Sequence, residues 1–176
     1  MQYHGKFAGD DNHGAAFGDT KRYPVKHLAE AVAVIRASHD VLPLVLCGPG
    51  EEALAAELAA CIGECVSTHE RIAGIGELKA LLARSRVLLT TDAGPRHLAE
   101  ALGTQTIVWM GPTDPRWSEH SDATVLRNES LPCLGCHLTT CPIGHPCMEQ
   151  LEPELVAEAA LAALGARVSE VEAGSS

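Results

Sequence analysis

Short apolar runs alternate along the chain with segments in which apolar residues recur every three or four positions. The first periodic segment begins at Pro24 and repeats Leu28, Ala31, Val32 and Ile35 at helical spacing, which predicts a helix. Similar patterns predict helices over residues 51–62, 77–84, 95–102 and 153–164. Apolar runs of about four or five residues predict strands over residues 44–47, 87–90, 106–110 and 123–126.

This alternation of helices and short strands predicts an α/β fold with a doubly wound parallel sheet. Ligands of such sheets bind beyond the carboxyl ends of the strands. Glycine-bearing turns follow three of the predicted strands, at residues 48–50, 92–94 and 111–115. We therefore expect the ligand site at these turns.

The predicted domain spans residues 13–166 and contains a cysteine-rich loop at residues 131–148. Residues 1–12 are polar and glycine-rich, which predicts an irregular segment. Residues 167–176 predict a flexible tail.

The turn after the predicted strand 87–90 has the features of a phosphate site. Gly94 allows the backbone to turn sharply and approach a ligand, and Pro95 suits the first turn of a helix. Arg96 and His97 add donors at a helix start, where free N–H groups attract anions. Asp92 is also a preferred helix cap, and we expect capping to be its main role.

Composition and charge narrow the classes of function. The chain has 176 residues, 46% of them hydrophobic, and a formal net charge of −10 from 23 acidic and 13 basic residues. This acidic balance argues against broad nucleic-acid binding, which needs a basic face. No apolar run approaches the roughly 20 residues that span a bilayer, and no hydrophobic leader follows Met1, so we expect a cytoplasmic protein.

Four cysteines fall within fifteen residues of the loop, at Cys133, Cys136, Cys141 and Cys147. Only the first pair has the Cys-x2-Cys spacing of thiolate zinc knuckles. A structural Zn²⁺, reduced thiols in a packed loop and disulfides are three alternatives.

Several motifs resemble glycosyltransferase family 9, the ADP-heptose:lipopolysaccharide heptosyltransferases. They are D-A-G-P-R-H-L-A at residues 92–99, G-P-T-D-P at 111–115, G-A-A-F-G at 14–18 with K-R-Y-P at 21–24, and the cysteine segment. They follow the order of the family and cover about residues 13–164. The family has a GT-B fold of two Rossmann-like domains, and the resemblance covers only the C-terminal, donor-binding half.

The resemblance implies a role for eight residues. Lys21 would contact the donor phosphates with Thr20 beside it, and Glu51 would hold the ribose, with Glu52 as the near alternative. The pyrophosphate turn would be lined by Asp92, Ala93, Gly94 and His97, and Leu78 would border the adenine. The catalytic base would come from an N-terminal acceptor domain, and no cofactor is required for transfer.

Each of these roles has a simpler structural alternative. Lys21 would then be a solvated surface lysine, and His97 would be merely packed or exposed on its helix. Glu51 would complement the dipole at its helix start without touching a ligand.

The chain also departs from the family pattern. The first strand of the family's domain precedes residue 14, but residues 8–13 here form strands poorly, so the sheet would lack that strand unless residues 2–8 replace it. Ala93 replaces a frequent Ser or Thr, which removes one hydroxyl donor, and Tyr23 replaces a tryptophan.

The leading hypothesis is a donor-binding domain that transfers a sugar, expected to be heptose, from an ADP-sugar to a lipopolysaccharide-type acceptor. The acceptor domain would come from a missing domain or a separate N-terminal half, and the cytoplasmic enzyme would work at the inner face of the membrane. One alternative is a non-catalytic remnant or standalone nucleotide-binding module. Another is a small metal-binding module built on residues 131–148.

Overall fold

A computed structural model describes residues 19–48, 50–68, 74–118 and 122–173, with side chains of the last helix described to residue 165. Six α-helices lie within these ranges: α1 (Val25–Ser38), α2 (Glu52–Ile62), α3 (Ile75–Arg84), α4 (Gly94–Ala101), α5 (Pro146–Glu149) and α6 (Pro153–Ala173). Short 3-10 helices cover Asp19–Lys21 and Pro115–Ser118.

The strands are short and parallel. They are β1 (Leu44–Val45), β2 (Val66–Ser67), β3 (Val87–Thr91), β4 (Gln105–Trp109) and β5 (Thr124–Leu126). Strands β1 and β2 pair in one sheet, and β3, β4 and β5 pair in that order in a second. The predicted α/β class is confirmed, and strand β2 is an addition that the sequence pattern did not predict.

Helices cover both faces of the second sheet. Leu89 packs in the larger core with helices α1 and α6, whereas the adjacent Leu88 packs with helices α3 and α4. Four of the five residues of β3 are buried, as expected for a parallel strand covered on both sides. The alternation along β3 therefore divides the interior into two clusters separated by the sheet.

Strands β1 and β3 belong to different sheets, and within the described ranges no strand pairs with both of them to join the two sheets. A cavity of about 430 Å³ lies between the amino ends of these strands, lined mainly by apolar side chains that include Leu44, Val87 and Leu89. The predicted irregular segment 1–12, the expected position of the first strand and the motif at 14–18 lie outside the described residues.

Two boundaries differ from the sequence prediction. Helix α6 ends at Ala173 and so extends into residues 167–176, which were predicted to be a tail, because this alanine-rich segment contains no proline after Pro153. The cysteine segment is mostly irregular, as predicted, but residues 146–149 form helix α5. No helix in the described part of the chain is long and apolar enough to cross a membrane.

Candidate functional site

The candidate site lies at the carboxyl ends of β3 and β4. Thr91 at the end of β3 is in register with Trp109 at the end of β4, so the turns that follow the two strands are neighbours. Asp92 begins the first turn, and Gly111 and Thr113 belong to the second. The parallel pairing thus places two of the three predicted ligand turns side by side.

Asp92 is held between two cationic side chains. Lys21 Nζ donates to Asp92 Oδ2 over 3.1 Å and to its carbonyl oxygen over 3.2 Å. Arg96 Nη1 donates to Asp92 Oδ1 over 2.9 Å, and Arg96 Nε donates to Glu100 Oε1 over 2.7 Å. The Arg96 side chain is fully buried, so its charge is fixed in place beneath the turn.

These contacts keep Asp92 ionised. Burial acts to raise its pKa, but the neighbouring Lys21 and Arg96 charges and hydrogen bonds from Lys21 and Thr113 outweigh burial and lower the pKa. Thr113 therefore joins the turn after β4 to the turn after β3. The result is a compact charge cluster in which one carboxylate orients two cations.

The start of helix α4 is open. Its N-cap is Ala93, and no side chain caps it, so the expected capping role of Asp92 is wrong: its carboxylate binds Lys21 and Arg96 instead. Gly94 has no positive φ, but a Cβ atom added there would meet nothing within 4 Å. The glycine thus leaves room for a group at the positive end of the helix dipole.

Glu51 lies directly before helix α2 and is buried. Its Oε2 accepts the Gly48 N–H over 2.7 Å, and a Cβ atom at Gly48 would lie 2.9 Å from that oxygen. Burial raises the pKa of Glu51 to about 7, although the Gly48 N–H and the charge of Arg22 act in the opposite direction. Arg22 adjoins Lys21 in the chain, which connects the Glu51 turn to the Asp92 cluster.

The structure places the remaining predicted site residues without testing their roles. Thr20 is buried beside Lys21, and His97 is exposed one turn into helix α4. Leu78 packs in the core with Leu82 and Leu88, which accounts for its burial without a ligand. Donor contacts by these three residues remain predictions.

One contributor to the site lies where the sequence did not predict it, and another was not predicted at all. Arg96 was expected to face an anion, but it is buried and bridges Asp92 and Glu100. The sequence did indicate this arrangement, because Arg96 lies four residues from each of the two carboxylates. Thr113 was not singled out, and its hydrogen bond to Asp92 depends on the register of β3 and β4.

The cysteine segment packs against the turn after β4. Gly135 N–H donates to the Gly111 carbonyl and His137 N–H to the Pro112 carbonyl, each over 2.9 Å. A Cβ atom at Gly111 would lie only 2.5 Å from Cys147 Sγ, so this position requires glycine. The segment therefore supports the second ligand turn.

All seven cysteines are free thiols in this structure. Burial raises the pKa of Cys147 to about 11, and the nearby Cys133, Cys136 and Cys141 act in the same direction. Within the described ranges, no group of three or more His, Cys, Asp or Glu side chains is arranged to hold a metal ion. A structural Zn²⁺ at the four cysteines stays a prediction that a zinc analysis would test.

The chain is similar to known glycosyltransferases. The family described as Glycosyltransferase family 9 (heptosyltransferase) matches residues 12–145. Lipooligosaccharide heptosyltransferase 2 of Campylobacter jejuni subsp. jejuni is 30% identical over 158 residues, which cover 85% of this chain and 48% of that protein. Lipopolysaccharide heptosyltransferase 2 of Salmonella typhimurium is 33% identical over 108 residues, covering 58% of this chain and 30% of that protein.

Solved structures agree with the architecture. An E. coli ADP-heptose lps heptosyltransferase II has a TM-score of 0.70 at 21% identity, covering 88% of this chain and 45% of that chain. A glycosyl transferase family 9 protein from Veillonella parvula has a TM-score of 0.65 at 20% identity, covering 82% and 42%. The chain thus spans about half or less of the length of these relatives. The extent of the family match, more than half of the chain, shows that the protein belongs to glycosyltransferase family 9.

Proposed function

We propose that this chain is the donor-binding part of a heptosyltransferase, which binds an ADP-sugar and delivers heptose to a lipopolysaccharide-type acceptor. The observation that supports it best is the Lys21–Asp92–Arg96 cluster beside the open start of helix α4. A pyrophosphate at this position would contact the flexible ammonium group of Lys21 and the positive end of the dipole of helix α4.

In the proposed mechanism, Lys21 moves its ammonium group from the Asp92 carboxylate to the donor phosphates. An acceptor hydroxyl oxygen bonds to the anomeric carbon, the bond from that carbon to the phosphate oxygen breaks, and ADP leaves with the electron pair. Lys21 stabilises the charge that develops on the leaving phosphate. The hydroxyl proton passes to a base on an acceptor domain.

The other predicted residues would hold the remainder of the donor. Thr20 and His97 would contact phosphate, Glu51 the ribose and Leu78 the adenine. Glu51 fits this role because its carboxyl group is fixed by the Gly48 N–H beside the same edge. No cofactor enters the proposed reaction. With a lipopolysaccharide-type acceptor, sugar transfer would take place at the inner face of the membrane.

A thermal unfolding scan with ADP tests the binding part of the proposal. Ligand that binds only the native state stabilises it by about 2.7 kcal/mol at 100 times Kd. We expect ADP to raise the Tm of the wild-type chain and to have less effect on Lys21→Met. Lys26→Met is the matched control, because Lys26 is an exposed lysine on helix α1. No ADP-induced shift in the folded wild-type chain would contradict the proposal.

The alternative is a nucleotide-binding module without transferase activity. Both hypotheses predict ADP binding, so sugar transfer separates them. Mixing the chain with the separately produced N-terminal half of a family relative, ADP-heptose and acceptor should yield product if this is a transferase half. Binding of ADP without transfer in any such pairing would favour the module.

A further inference from the structure

An exposed aromatic pair lies close to the candidate site. Trp117, in the 3-10 helix that follows the β4 turn, is 75% exposed and stacks on His137, with ring centroids 4.2 Å apart and planes 16° apart. The other tryptophan, Trp109, is 1% exposed in the core. Trp117 is therefore the tryptophan whose indole a ligand in solution can reach.

Backbone hydrogen bonds attach the segments that carry both rings to the β4 turn. His137 is in the left-handed region at φ 54°, and its N–H donates to the Pro112 carbonyl over 2.9 Å. Trp117 N–H donates to the Asp114 carbonyl over 3.1 Å. The cysteine segment and the β4 turn thus each contribute one ring, and the imidazole supports the indole from one side.

The aromatic pair is within reach of the phosphate turn. Thr113, which hydrogen-bonds Asp92, precedes Trp117 by four residues, and four residues span at most about 14 Å even when fully extended. A 3-10 helix over Pro115–Ser118 shortens this distance. Trp117 therefore lies within about 14 Å of the residue that hydrogen-bonds Asp92, in the neighbourhood of a sugar attached to a phosphate bound at the start of helix α4.

Polar groups flank the same surface. Arg116 Nε donates to Asp114 Oδ2 over 2.9 Å, and the Arg116 side chain is 81% exposed. Hydrogen bonds and charge from Arg116 lower the pKa of Asp114 to about 2, so both members of the pair are ionised at neutral pH. A carboxylate and a guanidinium beside an aromatic face can hydrogen-bond the hydroxyl rim of a ring whose C–H groups lie on that face.

We propose that Trp117, supported by His137 and flanked by the Asp114–Arg116 pair, is a saccharide subsite that stacks one pyranose ring during transfer. This inference rests on the proposed function and adds the position of a reacting sugar to it. The ring could be the sugar of the donor or a sugar of the acceptor, and both share the apolar C–H face that the indole would contact.

The test uses the full chain and three probes: ADP, ADP-heptose, and core oligosaccharide added together with ADP. Iodide quenching of tryptophan fluorescence reports Trp117, because Trp109 is buried. Dissociation constants are measured for the wild type, Trp117→Ala, Trp117→Phe and His137→Asn. Asparagine tolerates the left-handed conformation of residue 137 and removes only the ring. Ile143→Ala is the matched control, since Ile143 is an exposed apolar residue of the same segment.

A donor-sugar subsite predicts that ADP-heptose, but not ADP, protects Trp117 from iodide. It also predicts that Trp117→Ala raises the Kd of ADP-heptose about 2- to 12-fold, as loss of an aromatic stacking contact would, while Trp117→Phe retains most of the affinity. An acceptor subsite predicts the same pattern for the oligosaccharide. His137→Asn should weaken the same ligand, and Ile143→Ala should leave every Kd unchanged.

Two outcomes are negative and can be told apart. If ADP binds the wild type but neither sugar-bearing probe protects Trp117 and Trp117→Ala changes no Kd, the subsite is overturned and the proposed function stands. If ADP fails to bind the folded wild type, the proposed function is overturned. Protection of Trp117 by the oligosaccharide probe would then still support the subsite, and a lack of protection would overturn it as well.

Discussion

At the scale of single residues, the candidate site depends on one buried cation. Arg96 bonds Asp92 and Glu100 from a fully buried position, and Asp92 in turn bonds Lys21. Removing one member of a buried ion pair typically costs about 3–5 kcal/mol, because its partners keep their charge without compensation. Arg96 is therefore a structural support for the phosphate turn.

We predict that Arg96→Met lowers the free energy of unfolding by about 3–5 kcal/mol. Arg96→Lys should cost less, because an ammonium group keeps the charge but loses the fork that reaches both carboxylates. Urea unfolding measures the difference. Arg84→Met, at an exposed arginine of helix α3, should change stability by no more than about 0.5 kcal/mol. Equal costs at the two positions would contradict this role of Arg96.

Glu51 should make stability depend on pH near neutrality. Its folded-state pKa of about 7 exceeds the ordinary value of 4.5, so the folded chain holds this proton more tightly than the unfolded chain. Glu51 contributes fully to the free energy of unfolding below pH 4.5. This contribution falls by at most about 1.4 kcal/mol per pH unit as the pH rises to about 7.

We expect Glu51→Gln to remove this loss, because an amide cannot ionise. Denaturation at several pH values between 4.5 and 7.5 would measure the difference between the wild type and Glu51→Gln. Glu52→Gln, at the exposed neighbour, is the control. Parallel stability curves for the wild type and Glu51→Gln would show that Glu51 titrates normally.

The sequence identified these residues unevenly. Lys21, Asp92 and Glu51 were found through motifs that resemble a family, and Lys21 and Asp92 proved to be in contact. The burial of Arg96 was not predicted, because charged residues are usually exposed and only the folded packing covers this one.

At the scale of elements, the turn after β4 depends on a glycine. A Cβ atom at Gly111 would lie 2.5 Å from Cys147 Sγ and 2.7 Å from Cys147 Cβ, so helix α5 would have to move. This close approach constrains the ligand turn against the cysteine segment more strictly than the hydrogen bonds of Gly135 and His137 do alone.

We predict that Gly111→Ala lowers the free energy of unfolding by about 1–3 kcal/mol, the usual cost of overpacking. Gly76→Ala in helix α3 should have the opposite sign, because its Cβ would meet open space and alanine favours the helix. Thermal unfolding of both variants compares them directly. A neutral Gly111→Ala would mean that α5 moves away at little cost.

Elements with a clear apolar pattern were predictable, and elements without one were not. Helix α1 and strands β3 and β4 were found near their observed bounds, because burial imposes a clear apolar pattern on them. Strand β2 has two half-buried residues and carries no such pattern. The left-handed backbone at His137 and His145 was equally unpredictable from the sequence, because neither residue is a glycine.

At the scale of the whole molecule, helices α1 and α6 pack together. The Tyr23 hydroxyl donates to the Leu151 carbonyl over 2.7 Å, and its ring lies 5.0 Å from that of Trp109. The core that includes Leu28, Ile35 and Val156 lies on the same side of the sheet. This contact closes the fold around the sheet and holds the segment between Lys21 and helix α1 in place.

We predict that Tyr23→Phe costs about 1–3 kcal/mol, because the buried Leu151 carbonyl loses its donor while the ring remains. Thermal unfolding measures the loss, and Trp109 fluorescence in the folded variant should stay unchanged if packing is kept. An unchanged Tm would indicate that water replaces the hydroxyl at Leu151.

The same closing contact has a consequence for synthesis on the ribosome. Its partners are 128 residues apart, and translation at about 5–20 residues per second needs roughly 6–26 s to cover that interval. During this time the apolar face of helix α1 has no helix α6 to cover it, so we expect the nascent chain to rely on chaperones. Ribosome-bound chains of increasing length should become protease-resistant only after α6 has emerged; resistance before that point would show that α1 finds another cover first.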